Sequence, residues 1–570
     1  MNDQTNTTAR YAIGIDLGTT HSALSYVNLV ESDGEQSSHG VLKVPQLSAP
    51  GTVEELSLLP SFVYLPHADE VAAGDLALPW VTEEAEAPFV VGEMARSRGA
   101  TTPIRLVSSA KSWLCHPGVD RRAAILPNDA PAEVARISPI TAATRYLTHL
   151  RQAWDNAHPQ APFAEQEITV TIPASFDPAA RELTMEAAQA AGYTSLTLLE
   201  EPQAALYSWI QTSEGRWRKE VKPGDIILVV DVGGGTSDFS LIAVLERDGV
   251  LEPHRVAVGE HILLGGDNMD LALAHLVETR MAAGVAGGMK LSAARLSQLM
   301  ERCRAAKELL LSQDAPDKAT VTLLGGGSRL IGGSRSADIT REEVAAMVVD
   351  GFFPKVELAE TAKKGRAGIV EFGLPYAQDA AITRHLASFL QQHQGALPDT
   401  LLLNGGVFRA DALARRLADT LAHWRGQPLT ILHNDNPDVA VARGAVAYAL
   451  ARRGQAPRIG GGSPRSYFLV LGEAGKDKRA VCILPRGSAS GEEIRLTERL
   501  FALRLGRPVR FHLASSTGET GTPPQLGHIV DLKDGDFVRL PPLASVLHDP
   551  ANPADKREIT VQLATVMTEV

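Results

Sequence analysis

Two short segments place a carboxylate at the end of an apolar run and follow it with glycine and hydroxyl residues. The first is "IGIDLGTT", with Asp16, Gly18, Thr19 and Thr20, and the second is "VVDVGGGTSD", with Asp231 at the corresponding place. Glycines let backbone N–H groups approach a ligand closely, as in loops that cradle phosphates. One such loop alone is typical of an ordinary hairpin. Two that face each other would grip a polyphosphate from both sides.

The two aspartates also suit a metal ion. Mg²⁺ keeps several waters and usually takes only one or two protein oxygens, so Asp16 and Asp231 are candidate ligands that act through water. The alternative is that each aspartate is an N-capping or turn residue. A capping or turn role explains one such aspartate well, but it explains less well why two aspartates occupy corresponding places.

The composition is typical of a folded protein with several domains. The chain has 570 residues, and a compact unit takes about 150. The net charge of −12 gives no electrostatic footprint for nucleic acid or an anionic membrane. Cys115, Cys303 and Cys482 form no CxxC pair, which argues against disulfides and zinc and favours a reducing compartment. The N-terminus lacks the pattern of a secretory signal and no apolar run is long enough to span a membrane, so we expect a cytoplasmic protein.

The elements that must position these residues follow a strand and helix alternation. Helical spacing predicts a helix over 140–157, then the strand "EITVTIP", then a helix that Asp177 caps and Pro178 begins. Similar units open at "GDIILVVDVGGG" and "DTLLLNGGVF", and residues 267–312 and 341–352 have helical spacing. This order predicts an α/β fold.

The sequence changes character near residue 454. Residues 454–465, "GQAPRIGGGSPR", have the composition of a linker. Short strands separated by proline and glycine follow, without a long helix. They predict a small all-β domain.

Six segments in order closely resemble the nucleotide-binding domain of the seventy-kilodalton heat-shock chaperones, the DnaK-like branch of the actin and sugar-kinase fold. They are "IGIDLGTTHS", "VTIPASFDPAARELTMEAAQAAGYTSLTLLEEPQAAL", "VVDVGGGTSDFSL", "GEHILLGGDNMD", "LLLNGGVF" and "NPDVAVARGAVAYA". The resemblance implies an actin-like two-lobed ATPase domain over residues 11–453, behind a disordered tail of residues 1–10. The linker of residues 454–465 and a β-rich, sandwich-like domain over residues 466–570 would follow.

The resemblance also implies roles for individual residues. The catalytic positions would be Lys111, Glu201, Asp231, Thr236 and Asp238. Lys111 would place positive charge on the γ-phosphate, and Glu201 would couple the lobes and help to position water. Asp231 and Asp238 would orient metal-bound or attacking water. The nucleotide-binding positions would be Asp16, Gly18, Thr19, Thr20, His21, Gly233, Gly234, Gly235, Gly265, Gly266, Lys307, Glu308, Gly405, Gly406, Val407 and Asp438.

Several positions depart from the family pattern. His21 replaces a usual tyrosine; we expect a satisfied or surface histidine, the alternative being a pH response near neutrality. Arg304 stands where an acid is common and Glu308 where a base is common, which affects the adenine side. Val407 and Phe408 replace small hydroxyl residues, and we expect Phe408 to fill the core rather than to stack on a base.

By resemblance, the protein would be an atypical chaperone that binds ATP or ADP with Mg²⁺, with K⁺ as a further candidate ion, and hydrolyses ATP slowly. Pro173 would relay the nucleotide state to the β domain; the alternative is a turn proline at a strand end. The family's interdomain linker is not recognisable, and we expect no helical lid. The β domain would bind an unfolded peptide or a dedicated protein partner. A J-domain co-chaperone and a nucleotide-exchange factor are implied partners of a monomer.

Two other functions stay open on the sequence. The altered adenosine helix would suit a non-hydrolysing nucleotide sensor or scaffold. A small-molecule kinase of the same superfamily would use a carboxylate to deprotonate a substrate hydroxyl. The order of the six segments favours the chaperone-like ATPase over both.

Overall fold

The protein is described by a computed structural model that covers residues 9–566 with internal gaps. The gaps are residues 73, 81–87, 117, 129, 175, 261, 284–290, 324–333, 363–369, 372–373, 394–396, 464, 472–478, 489–492, 517–523, 533–536, 541–542 and 547–555. Residues 1–8 of the predicted disordered tail lie outside the described residues.

The first lobe is built on a six-stranded sheet in the order β11-β10-β1-β2-β3, with β6 paired to β2. Its strands and their small neighbours are β1 (Tyr11–Leu17), β2 (His21–Asn28), β3 (Gly40–Val41), β4 (Val44–Ala49), β5 (Thr52–Leu56), β6 (Leu59–Pro60), β7 (Val63–Tyr64), β8 (Val90–Val91), β9 (Leu106–Val107), β10 (Glu167–Ile172) and β11 (Leu196–Glu200). Strand β1 runs parallel to β10 and antiparallel to β2. The predicted hairpin at "IGIDLGTTHS" is confirmed.

Four helices accompany this sheet. They are α1 (Glu93–Gly99), α2 (Ala110–Leu114), α3 (Pro139–Ala157) and α4 (Pro178–Ala190). The Asp177 carboxylate accepts a hydrogen bond from the Ala180 backbone N–H at 2.6 Å, and the Ser138 hydroxyl accepts one from the Thr141 N–H at 3.0 Å. The predicted helices over 140–157 and after Asp177 are therefore confirmed, because each has its side-chain cap and a proline in the first turn.

The second lobe repeats the topology of the first, in a sheet of order β20-β19-β12-β13-β14-β21. Its strands are β12 (Ile226–Val232), β13 (Ser237–Arg247), β14 (Val250–Val258), β15 (Lys318–Leu323), β16 (Arg335–Thr340), β17 (Val370–Glu371), β18 (Leu374–Pro375), β19 (Thr400–Asn404), β20 (Thr430–Leu432) and β21 (Gly460–Gly461). Strand β12 runs parallel to β19 and antiparallel to β13. Strand β12 thus corresponds to β1, since each runs parallel to one neighbour (β19 or β10) and antiparallel to the other (β13 or β2).

The helices around the second sheet include the two that join the lobes. They are α5 (Glu201–Thr212), α6 (Trp217–Glu220), α7 (Gly266–Ala282), α8 (Ala293–Leu310), α9 (Arg341–Val344) with a π-helical turn over Ala345–Asp350, α10 (Ile382–Gln392), α11 (Asp411–Arg425) and α12 (Pro437–Arg452). None of the described helices is both long and apolar enough to cross a membrane.

Helices α5 and α12 cross with their backbones in contact. A Cβ atom added at Gly444 of α12 would lie 1.7 Å from the carbonyl oxygen of Ala204 in α5. On the other side of α12, a Cβ at Gly14 of β1 would lie 2.2 Å from the Ala442 carbonyl oxygen. Only glycine permits such approaches, so α12 is wedged between the first sheet and α5.

The chain after α12 is β-rich, as predicted. Its strands are β22 (Tyr467–Val470), β23 (Arg479–Leu484), β24 (Glu493–Arg495), β25 (Phe501–Arg504), β26 (Pro508–Phe511), β27 (Leu513–Ser516), β28 (Ile529–Asp531), β29 (Phe537–Arg539), β30 (Leu543–Val546), β31 (Glu558–Val561) and β32 (Ala564–Val566). Alternate residues of β22 and β23 belong to two different apolar clusters, one on each face of their sheet. The described residues beyond 454 contain no α-helix.

The predicted linker is partly a strand of the second lobe. Gly460 and Gly461 form β21, which pairs in parallel with His254 and Arg255 of β14. Ile459, just before β21, is buried in the core cluster between α5 and β12. The segment is therefore docked on the sheet edge.

The buried His149 gives the first lobe a defined acid sensitivity. Its Nε2 lies 2.9 Å from the Pro45 carbonyl oxygen, and burial lowers the pKa of the imidazole from 6.5 to about 4. Because the unfolded chain binds the proton and the folded chain does not, stability is lost as the pH falls below 6.5. We expect His149→Gln to reduce the loss of unfolding free energy between pH 7.5 and pH 5 by about 2 kcal/mol.

Urea unfolding at the two pH values measures this difference. The matched control is His67→Gln, at a side chain that is 56% exposed. An equal effect of both variants would contradict the assignment to burial.

Candidate functional site

A cavity of about 510 Å³ lies between the two lobes. Both hairpin loops, the start of α5 and the faces of α8 and α12 contribute to it. Eighteen of the predicted site residues line it: Asp16, Gly18, Thr19, Thr20, His21, Lys111, Glu201, Asp231, Gly233, Gly234, Thr236, Gly266, Lys307, Glu308, Gly405, Gly406, Val407 and Asp438. The topology thus brings segments that are far apart in the sequence to one place.

Three further predicted residues, Gly235, Gly265 and Asp238, lie next to residues of the cavity wall rather than on the wall itself. Gly265 caps α7, where an added Cβ would lie 2.6 Å from the carbonyl oxygens of Gly233 and Gly234. Asp238 is buried and pairs in register with Asp231 across the β12–β13 hairpin. Gly235 packs beside Ser112 and Thr19, on the side of the first lobe.

Each central strand carries a carboxylate directly before its last residue, and this carboxylate has a side-chain donor on the neighbouring parallel strand. The Thr171 hydroxyl of β10 donates to the Asp16 carboxylate of β1 at 3.4 Å. In the second lobe, the Asn404 Nδ2–H of β19 donates to the Asp231 carboxylate of β12 at 2.9 Å. Each lobe therefore has one carboxylate that accepts a hydrogen bond from a side chain of the neighbouring parallel strand.

These two carboxylates fit a hydrated divalent cation. Burial, followed by the negative charge of Glu201, raises the pKa of Asp16 to about 7 and that of Asp231 to about 8. The protein thus leaves their charge insufficiently compensated, which is the environment that a cation relieves. No group of three or more His, Cys, Asp or Glu side chains among the described residues is arranged to hold a metal ion directly.

A buried ion pair between Lys111 and Glu201 lines the cavity near Asp16 and Asp231. The Lys111 ammonium contacts the Glu201 carboxylate, and the two side chains are only 9% and 10% exposed. Burial alone would lower the pKa of Lys111, but the carboxylates of Glu201 and Asp16 outweigh it and raise that pKa above its usual value. Lys111 is therefore held as a cation beside the phosphate-type loops.

Helices α7 and α8 contribute to the cavity a cluster of ion pairs centred on Arg304 of α8. Its guanidinium donates to Asp267 and to Asp270 of α7, each at 2.8 Å, and Lys307 contacts Asp270 at 2.7 Å. Burial raises the pKa of Asp267 to about 6, against the charge of Arg304. Arg304 thus departs from the family pattern because it neutralises acids of α7, and Glu308 faces the cavity one turn further along α8.

Two departures noted in the sequence have a clear structural outcome. Burial, with the charges of Arg96, Arg304 and Arg409, lowers the pKa of His21 to about 4. The ring is therefore neutral at pH 7 in the free protein, which argues against a pH response near neutrality. Phe408 packs in the core of the second lobe, edge to face with Phe353 at 6.0 Å between ring centroids, as expected.

Pro173 is buried directly after β10, and its carbonyl oxygen accepts a hydrogen bond from the Phe176 N–H at 3.1 Å. It does not line the cavity. One turn into α4, Arg181 donates to the carboxylate of Glu200 at 3.2 Å. Both the relay and the turn interpretation of Pro173 remain compatible with this position.

Sequence reasoning missed several residues of the cavity. They are Phe62, Arg96, Asp267, Asp270, Asn404 and Arg409. Arg409 pairs with the predicted Asp438. Asn404 had a usable signal, because it is the polar residue that ends an apolar strand directly before Gly405. Asp267 and Asp270 lie in the quoted segment "GEHILLGGDNMD", whereas no local pattern indicates a distant site for Arg96.

Two sheets of the same topology with a cavity between their strand ends define the actin-like two-lobed ATPase fold, here followed by a β-rich region. Residues 129–357 match the model of the family described as Hsp70 protein. The predicted resemblance to the Hsp70 family is confirmed, and the chain is Hsp70-like.

Several curated relatives are named as HscA chaperones. A "Chaperone protein HscA homolog" of Methylococcus capsulatus is 30% identical over 426 residues, which are 71% of this chain and 59% of the relative. The homolog of Paracidovorax citrulli is 28% identical over 468 residues, 81% of this chain and 60% of that protein. The homolog of Bordetella petrii is 29% identical over 326 residues, 55% of this chain and 43% of that protein. The chain thus spans roughly half of each relative.

The Lys111–Glu201 pair yields a stability prediction. Removing one partner of a buried ion pair leaves the other charge uncompensated, so we expect Lys111→Met to lower the free energy of unfolding by about 3 kcal/mol. Adding Glu201→Gln should recover part of that loss, since it removes the orphaned carboxylate.

Urea unfolding followed by tryptophan fluorescence tests this cycle. The matched control is Arg122→Met at the exposed pair with Glu186, which we expect to cost less than about 1 kcal/mol. A double variant less stable than Lys111→Met would refute the explanation.

Proposed function

We propose that this protein is a DnaK-like chaperone that binds ATP with Mg²⁺ in the cavity between the lobes and hydrolyses it slowly. The observation that carries the proposal is the pair of carboxylate-headed glycine loops on opposite sides of one cavity that also holds Lys111. The membership of residues 129–357 in an Hsp70 family model supports it.

The roles of the residues follow from charge and position. Asp16 and Asp231 would hold hydrated Mg²⁺, which supplies charge neutralisation for the phosphates. The glycine and threonine residues of the two loops would bind phosphate oxygens through N–H and hydroxyl groups. Lys111 would stabilise the charge that develops on the γ-phosphate.

Water would be positioned by the acids behind the phosphates. Glu201 contacts Lys111 and raises the pKa of both Asp16 and Asp231, so its carboxylate is close to all three. It would orient the attacking water together with Asp231 and Asp238, while the Thr236 hydroxyl would bind the γ-phosphate. Gly265, Gly266, Lys307, Glu308, Gly405, Gly406, Val407 and Asp438 would hold the nucleoside.

The nucleotide state would be coupled to the β-rich region through the docked linker. Arg255 of β14 contacts the Glu200 carboxylate and donates to the Gly462 carbonyl oxygen at 3.3 Å. Glu200 directly precedes Glu201, which faces the cavity. Arg255 thus touches the linker on one side and the neighbour of a proposed catalytic residue on the other.

The wider assignment rests on the relatives. They are named as HscA chaperones, so we propose a β domain over residues 466–570 that binds an unfolded peptide or a dedicated protein partner. A J-domain co-chaperone, a nucleotide-exchange factor, K⁺, a monomeric state and a cytoplasmic location belong to the same proposal, as do the domain over residues 11–453 and the linker over residues 454–465.

A nucleotide sensor without hydrolysis is the second candidate. Arg304 and Lys307 are engaged by acids of α7, so fewer cationic donors would be available to the nucleoside than their number suggests. Single-turnover hydrolysis of ATP by the full-length protein separates the two candidates: bound ATP that persists favours the sensor.

The hydroxyl of Thr236 tests the site directly. We expect Thr236→Ala to bind ATP like the unmodified protein and to slow single-turnover hydrolysis by about tenfold or more, since it loses a contact to the transferred group. The control is Ser240→Ala, a buried hydroxyl four residues further along the strand that hydrogen-bonds to no described residue. Equal turnover in the two variants would remove Thr236 from the mechanism.

Coupling through the linker predicts an effect at a distance from the cavity. We expect the double variant Glu200→Gln and Arg255→Gln to slow hydrolysis by about fivefold, because Glu201 loses the anchor of its neighbour. Thermal unfolding should show that the double variant is folded, since Glu200 and Arg255 are neutralised together and Arg181, the other partner of Glu200, keeps its hydrogen bonds to the Phe176 and Ala174 carbonyl oxygens. The control is Arg247→Gln at the exposed pair with Glu252; the same slowing there would contradict the coupling.

A further inference from the structure

Asn404 has a buried acceptor atom that the described protein does not use. Its side chain ends β19, is 3% exposed and lines the cavity. The Nδ2–H donates to Asp231, whereas the buried Oδ1 has no hydrogen-bond donor among the described residues. A buried carbonyl oxygen without a donor is costly, so such an atom in a native protein calls for an explanation.

The orientation of the amide follows from its neighbour. If the amide were rotated by half a turn, Oδ1 would face the Asp231 carboxylate and two acceptors would meet. The observed arrangement, with Nδ2–H on Asp231 at 2.9 Å, is therefore the one that suits the charged carboxylate of a cation-bound site. It leaves Oδ1 without a partner beside the carboxylate.

The corresponding residue of the first lobe, Thr171, shows how Asn404 of the second lobe differs. Thr171 occupies the position in register with Asp16 that Asn404 occupies with Asp231. The Thr171 hydroxyl lies within reach of the Ile15 carbonyl oxygen, at 3.3 Å, and of the Asp16 carboxylate. Both residues supply a donor to the carboxylate, but Asn404 adds a carbonyl acceptor.

We propose that Asn404 is a positioning residue for the magnesium ion of the bound nucleotide. Its Nδ2–H fixes the Asp231 carboxylate, and its Oδ1 accepts a hydrogen bond from the water shell of Mg²⁺. Mg²⁺ retains several waters in proteins, and these waters donate strongly because of the charge of the ion. The assignment rests on the proposed function, and it adds a neutral oxygen to the two carboxylates already described.

Nucleotide binding with and without magnesium tests the assignment independently of hydrolysis. Calorimetric titration of the full-length protein with ATP in EDTA and in Mg²⁺ gives a magnesium gain, the ratio of the two dissociation constants. We expect Asn404→Leu, which removes both ends of the amide, to reduce that gain by about tenfold. Binding in EDTA should change by less than about twofold.

Two further variants make the test specific. Asn404→Asp keeps an acceptor and adds negative charge, so it should weaken binding in EDTA and preserve or increase the magnesium gain. Thr400→Val is the matched control, because Thr400 also lies buried on β19 with a hydroxyl that bonds to no described residue. It should behave like the unmodified protein. Asn404→Asp carries the test if the leucine variant does not fold.

The outcomes separate this inference from the proposed function. A leucine variant with an unchanged magnesium gain overturns the role of Asn404, as does equal weakening in EDTA and in Mg²⁺, which would mark a structural residue. An aspartate variant that loses the gain also overturns it. Unmodified protein that shows the gain without hydrolysing ATP would refute the proposed ATPase and leave the Asn404 assignment supported. Absence of any magnesium gain would overturn both the assignment and the proposed metal site.

Discussion

The contact between Gly444 of α12 and the backbone of α5 sets the geometry on which the cavity depends. Both helices begin at the cavity, α5 at Glu201 and α12 directly before Asp438. Because their backbones touch, the distance between these two walls is fixed by a contact without side chains. A residue larger than glycine at the crossing would push α12 away from α5 and from β1, and the two lobes would no longer meet at the same angle.

The charged side chains that line the cavity include two groups with different degrees of compensation. In the first group, Arg304 and Lys307 of α8 are paired with Asp267 and Asp270 of α7, so their charges are compensated within the protein. In the second group, beside the hairpin loops, Lys111 is paired with Glu201, whereas burial opposes the ionisation of Asp16 and Asp231 and raises the pKa of both. The free protein is thus less stable around Asp16 and Asp231 than it could be. A ligand that carries a cation would remove this destabilisation, because the cation would compensate the two carboxylates.

Much of the fold could be predicted from local patterns. Strand ends, glycine loops and capped helices are determined by residues that are adjacent in the sequence, as the Asp177 cap of α4 shows. The residues of the two loops were found for the same reason. Their meeting in one cavity required the family resemblance, since no local pattern encodes the distance between Asp16 and Asp231.

The features that sequence reasoning missed arise from register and long-range packing. Asn404 matters because β19 pairs with β12 in the register that sets it against Asp231, and register across a parallel pair is not visible in either strand alone. The docking of Gly460 and Gly461 was missed because β21 pairs through backbone groups only. The linker composition concealed an ordered strand. His21 had a residue type that suggests titration, but three distant arginines and burial decide its pKa.

Glu200 and Glu201 are consecutive residues, but their side chains make contacts in two different parts of the protein. Glu200 is buried between Arg181 and Arg255 on the side of the linker, and Glu201 faces Lys111 in the cavity. Adjacent Cα atoms are about 3.8 Å apart, so neither side chain can relocate without carrying the other. A substitution at Glu200 alone would therefore act in two places: it would leave Arg181 and Arg255 without their carboxylate, and it would release the backbone position of Glu201.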